Sequence, residues 1–125
     1  MTPLIFLAIA IAGGVGAAAR FAVDGLIGHR FKTAFPWATF AINVSGSLAL
    51  GLLSAAAAGV LVSAEWSMIL GVGFLGGYTT FSTTSYETLR LLTDKRYLAS
   101  LGNALGTLTV SVGAAALGYW LGSML

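Results

Sequence analysis

Gly71-Val72-Gly73-Phe74-Leu75-Gly76-Gly77-Tyr78-Thr79-Thr80-Phe81-Ser82-Thr83-Thr84-Ser85-Tyr86-Glu87 sets four glycines ahead of a hydroxyl-rich run, inside a mostly uncharged segment from Trp66 to Leu92. That segment exceeds the roughly 20 residues a helix needs to cross a bilayer. Six of the eight positions from Thr79 to Tyr86 carry a Ser or Thr hydroxyl, a composition no lipid-facing helix has. The Gly76-Gly77 pair costs about 1 kcal/mol of helix propensity per residue relative to Ala, and the β-branched threonines add to that. The expectation is a third helix broken near its middle. Broken backbone at membrane depth survives only where protein or a water-filled cavity satisfies its N–H and C=O groups, and freed carbonyls there can coordinate a cation.

The composition places the rest of the chain around this segment. Of 125 residues, 58% are hydrophobic and 8% charged, and the mean hydropathy is +0.93. That is about a third of the charge a soluble domain carries, too little to cover its surface, so lipid is the solvent for most of the chain. There is no cysteine, hence no disulfide and no thiolate site, and one histidine, His29, with four scattered acids builds no metal cluster. The net charge of +2 and pI near 9.3 come from few basic residues without an aromatic platform, which excludes nucleic acid as a partner.

Uncharged stretches give four spans: Leu4 to Arg20 or a little beyond, Trp37 to Val62, Trp66 to Leu92 and Tyr97 to Gly122. They nearly exhaust the chain, so residues 1–125 read as a single four-helix transmembrane domain, all α. The Ala17-Ala18-Ala19 run resembles a signal cleavage site, but no basic segment precedes it, and span one is kept as structure. Asp24 to Pro36 reads as an interfacial turn with the second helix starting after Pro36. Ser63 reads as an N-cap and Trp66 as a headgroup-level anchor.

Polar residues recur on three spans. Asn43 lies inside span two, and a carboxamide in hydrocarbon must find partners. Asn103, Thr107 and Ser111 share one face of span four by their four-residue spacing. With the hydroxyl run of span three, these describe either helix-to-helix hydrogen bonding or a shared aqueous path. Arg20, Glu87 and Arg90 sit in terminal turns, and no ionisable side chain lies at a midpoint, where a proton-coupled carrier keeps one. No nucleophile–base or paired-carboxylate constellation exists, so no enzyme is expected. Neutral donors along a path suit an anion held weakly enough to leave; Phe81, within the hydroxyl run, can present the positive edge of its ring.

Four motifs then match in order across most of the chain. Gly13-Gly14-Val15-Gly16-Ala17-Ala18-Ala19-Arg20-Phe21, Thr39-Phe40-Ala41-Ile42-Asn43 with Gly46, Gly73-Phe74-Leu75-Gly76-Gly77-Tyr78-Thr79-Thr80-Phe81-Ser82-Thr83, and Glu87 resemble the Fluc (CrcB) family of small fluoride channels. The resemblance implies an antiparallel, dual-topology dimer with two pores in the bacterial inner (plasma) membrane, passing fluoride out of the cytoplasm and relieving its toxicity. It implies Arg20 and Glu87 in the vestibule, Asn43 and Phe81 in the pore, and Ser82, Ser85, Thr107 and Ser111 on a fluoride-facing track, with Asn103 on the same stripe. It further implies a structural Na+ at the dimer interface, on the backbone carbonyls of Gly76 and Thr79. One departure stands out: Thr84 occupies the place of the family's second phenylalanine, so it either supplies a hydroxyl to the pore or marks an altered one. All six basic side chains fall at one end of a four-span chain, which the positive-inside rule assigns to the cytoplasm. That bias and Thr84 keep a heterodimer with a sister subunit open beside the homodimer. A small proton-coupled multidrug carrier shares this size, but Leu4 to Ala19 contains no acid.

Overall fold

The computed structural model describes residues 2–125, which are helical with no strand among them. Helix α1 runs Pro3–Arg30, α2 Trp37–Ala58, α3 residues 64–78, α4 Ser82–Thr93 and α5 Tyr97–Gly122. Helices α1, α2 and α5 are each long and apolar enough to cross a membrane; α3 and α4 are two shorter pieces divided at Thr79 to Phe81.

Local chemistry fixes most helix ends. Thr2 Oγ1 accepts from the Ile5 N–H at 3.2 Å, with Pro3 in the first turn where its missing N–H costs nothing. Pro36 precedes α2, and Ser63 Oγ accepts from the Trp66 N–H at 3.3 Å to start α3. Span four has the expected limits, Tyr97–Gly122. Span one does not end near Arg20: residues 24–30, expected in an interfacial turn, continue the helix to Arg30. Isolated Gly25 and Gly28 weaken a helix without stopping it, and the first real breaker is the Thr33 to Pro36 turn. With 28 residues, α1 is about 42 Å long and outreaches the ~30 Å hydrocarbon core.

Helices α2 and α4 each end in a turn closed by a six-residue bond, Leu61 N–H to Ala56 O and Arg96 N–H to Leu91 O, both 2.9 Å. This C-terminal motif needs a left-handed residue, normally Gly, and here Val60 (φ 57°) and Lys95 (φ 61°) take it. Val60 is β-branched and 90% exposed, so its strain is offset by no packing. Val60→Gly is therefore expected to raise stability by about 1 kcal/mol, seen as a higher melting temperature of the detergent-purified protein.

Two helix pairs meet backbone to backbone. A Cβ on Gly16 would land on the Phe74 carbonyl, and one on Gly77 on the Gly13 carbonyl, so α1 and α3 touch where neither has a side chain. Gly51 against Ala115 and Gly118 against Leu48 do the same for α2 and α5. These small-residue contacts bring polypeptide backbones close without needing a hydrophobic drive, as bundles in lipid require. The Gly76-Gly77 pair accordingly lies in intact helix and is not the break. The chain parts one turn later, at Thr79 (φ −81°, ψ 160°). Of the two glycine pairs at four-residue spacing on α3 and α5, Gly73 and Gly77 pack against α1, whereas Gly102 and Gly106 meet nothing within 4 Å.

The buried set is half polar. Ala38, Ile42, Ala55, Leu75 and Leu91 are matched by Thr39, Thr84, Ser100, Asn103 and Thr107, while large apolar side chains such as Leu4, Phe6, Leu26 and Leu108 cover the outside. A polar interior inside an apolar exterior is the arrangement a lipid solvent selects. Met68–Leu75 of α3 and Gly102–Gly106 of α5 are wound as π turns, a geometry that recurs beside functional sites. Both contribute residues to the cleft below.

Candidate functional site

The break between α3 and α4 frees backbone groups that a helix would pair, and Asn43 of α2 takes them. Thr80 N–H donates to Asn43 Oδ1 (2.8 Å), and Asn43 Nδ2 donates to Thr80 O (2.8 Å) and to Thr84 Oγ1 (2.9 Å). The carboxamide thus stands in for a peptide unit. Thr80 Oγ1 accepts from the Thr83 N–H at 3.2 Å, the capping bond for the first turn of α4. Because the Thr80 N–H turns to Asn43, the Gly76 carbonyl four residues earlier has no backbone donor among the described residues.

A cleft of about 350 Å³ opens beside this break, between α2, α3, α4 and α5. Asn43, Phe81, Thr84, Thr107 and Ser111 line it together, as do Gly76 and Thr79. Most hydroxyls here are occupied: Thr79 Oγ1 donates to Leu75 O (2.9 Å), and Thr84 Oγ1 donates to Thr80 O (3.3 Å) while accepting from Asn43. Ser111 Oγ is buried without a hydrogen-bond partner. Phe81 stands at the edge of the cleft and is 86% exposed, an aromatic ring that nothing else in the chain covers.

Asn103 goes elsewhere. It is 1% exposed, and its Nδ2 donates to Thr88 Oγ1 (2.9 Å) and Thr84 O (3.3 Å), tying α4 to α5 instead of lining the cleft. Thr107 Oγ1 completes this network by donating to Asn103 Oδ1 at 3.4 Å. The three-residue stripe of α5 therefore splits, with its first member between helices and the other two on the cleft. Ser82 and Ser85 also lie off the cleft; Ser85 Oγ returns to Phe81 O at 3.0 Å.

A second cavity of about 260 Å³ lies between α1 and α2, where Arg20 and Asp24 meet Thr39, Thr80 and Thr83. Thr80 lines both cavities, so the segment that Asn43 holds is the wall between them. Glu87 sits beside Thr39 with Asp24 and Arg90 nearby, and its Oε1 is buried with no partner. Thr80, Thr88 and Thr39 were not among the candidate site residues. Thr80 lies in the hydroxyl run and Thr39 heads the motif that ends in Asn43, so both were marked by the motifs, and Thr88 lies one turn from Thr84.

Three apolar membrane-length helices, a half-polar buried set and a broken helix pinned beside a cleft with amide and hydroxyl groups in its wall define an integral membrane protein. The family model described as CrcB-like protein, Camphor Resistance (CrcB), matches residues 7–119, and the chain belongs to that family. It is 52% identical over 124 residues, 99% of this chain and 90% of the relative, to "Fluoride-specific ion channel FluC 1" of Leifsonia xyli subsp. xyli. It is 42% identical over 94% of its length to the protein of that name from Streptomyces avermitilis, covering 95% of it. "Fluoride-specific ion channel FluC" of Geobacter sulfurreducens is 44% identical over 94% of this chain and 93% of its own. Membership and the apolar helices together make the chain an integral protein of the bacterial plasma membrane.

Proposed function

We propose that the chain forms a fluoride-selective channel that passes F− passively out of the cytoplasm and so relieves fluoride toxicity. The observation that carries this is the cleft itself: its wall holds the Asn43 amide and several Ser and Thr hydroxyls among apolar residues, with no full charge, and the Ser111 hydroxyl is buried and unpaired. A small, strongly hydrated anion needs donors to replace its water, and neutral donors bind it weakly enough to let it go. Arg20 in the second cavity supplies the attracting charge, and Thr80 between the cavities is the point the ion must pass. The relatives named as fluoride-specific channels support the choice of ion.

In this reading α3 and α4 together make one crossing, giving four, and the working unit is an antiparallel, dual-topology dimer. Support comes from Phe81, whose ring beside the cleft is exposed in the single chain and so is free to pack against a second copy. A structural Na+ is assigned to the Gly76 and Thr79 carbonyls: both residues line the same cleft, the Gly76 carbonyl has no backbone donor among the described residues, and Thr79 lies at the break, where unwound carbonyls suit a hard cation. Thr84 favours a homodimer over a heterodimer: its side chain is buried and bonded to both Asn43 and Thr80 O, so it serves the break and leaves no gap.

The test is fluoride efflux from liposomes containing this protein alone, read with a fluoride electrode and with chloride as the control ion. Rapid fluoride release with chloride retained is expected; no release from folded protein overturns the homomeric channel. Phe81→Ala removes a ring that touches little within the chain, so melting of the monomer is expected to stay within about 0.5 kcal/mol of the parent. Fluoride flux is expected to fall at least tenfold, and unchanged flux removes Phe81 from the path.

A further inference from the structure

A groove of about 790 Å³, larger than either cavity above, opens between the end of α1 and the first half of α2. Ile27 and Phe31 line one side, and Trp37, Phe40, Val44 and Leu48 the other. The one hydroxyl on its wall, Ser45, is already engaged with Ile42 O (3.1 Å) and Tyr78 Oη (3.0 Å), so the groove offers an occupant no free hydroxyl. Its rim is aromatic: the Trp37 and Phe40 ring centroids meet edge to face at 5.8 Å, and those of Phe35 and Trp37 lie 4.6 Å apart.

Its direction and charge identify the occupant. The groove follows α2 from Trp37 to Leu48, a run of about 16 Å at 1.5 Å per residue, which is half of the ~30 Å hydrocarbon core. Trp37, just after the polar turn, lies at the headgroup level. His29, Arg30 and Lys32, all exposed, precede and follow the groove-lining Phe31 in the chain. Asp24 faces the second cavity with Arg20, and no acid occurs between Asp24 and Glu65. An apolar slot one leaflet deep, open at a basic end, matches an acyl chain beneath an anionic headgroup.

We propose that this groove binds one chain of an anionic phospholipid, with Arg30 and Lys32 holding its phosphate. The site is independent of the ion path. The test titrates delipidated, detergent-solubilised protein with palmitoyl-oleoyl phosphatidylglycerol or the matching phosphatidylcholine and counts bound lipid by native mass spectrometry. Phosphatidylglycerol is expected to bind about tenfold more tightly, from two basic groups near the phosphate. Arg30→Gln with Lys32→Gln removes the preference, and Val44→Trp, which fills the groove, lowers retention of both lipids. The glutamine pair is exposed, so that arm reads out even if the tryptophan variant fails to fold. Equal binding of the two lipids overturns the proposal, as does an undiminished preference in the glutamine pair. A Val44→Cys variant that forms a high-yield disulfide between two copies also overturns it, assigning the groove to a second chain.

Discussion

Asn43→Ala is expected to reduce fluoride efflux from liposomes to the background of empty vesicles. The carboxamide makes three hydrogen bonds, two of them to the backbone of Thr80 and one to Thr84 Oγ1. Removing it leaves the Thr80 N–H facing a partly buried space with no partner and its C=O with only the Thr84 hydroxyl, at a cost of about 2 kcal/mol. Thr80 forms the wall between the two cavities, so its displacement is felt where the ion passes. Asn43→Asp separates position from chemistry. It keeps the shape and the acceptor for the Thr80 N–H, but it loses both donors and sets a negative oxygen against Thr80 O. It is expected to carry no fluoride. A conducting Asn43→Asp channel shows that the amide donors are dispensable.

Gly77→Ala is expected to lower stability by about 1–3 kcal/mol, because overpacked contacts relax only by moving whole elements. The new Cβ falls on the Gly13 carbonyl, which is backbone and cannot rotate away, so α1 and α3 must separate. Gly118→Ala sets a Cβ against the Leu48 carbonyl and should act alike on α2 and α5. Gly14→Ala and Gly113→Ala are the controls, since a Cβ at either meets nothing within 4 Å. There the better helix propensity of alanine is expected to leave the melting temperature unchanged or raised. Thermal unfolding of the detergent-purified variants, followed by size-exclusion chromatography, distinguishes the two sets. A Gly77→Ala protein as stable as the parent shows that the helices do not meet at that carbonyl.

The same residues show how far the sequence could be read. Pro36, Ser63 and the limits of span four announced helix ends correctly because caps and breakers act within one turn of chain. The hydroxyl run announced a break, since its composition does not suit lipid. The break lies where it was expected, near the middle of the third span, at Thr79; Gly76-Gly77, whose propensity contributed to that expectation, stay helical because α1 packs against them, and the chain parts where Asn43 offers replacement bonds. Propensity is a local cost of about 1 kcal/mol per glycine, and a close backbone contact with another helix outweighs it.

Composition and periodicity alone determined that the chain lives in lipid, that it is helical throughout and that polar residues gather on three spans. The motifs it carries fixed the family. Tertiary structure decided which of those polar residues share a cleft: Asn43, Thr84, Thr107 and Ser111 do, whereas Asn103 is diverted to Thr88 and Thr84 O. It also decided that Thr80, one hydroxyl of six in the run, is the one that borders two cavities. The reason is physical: a hydrogen bond in lipid goes to whatever partner the helix crossing brings within about 3 Å, and that crossing is set by glycines far away in the chain.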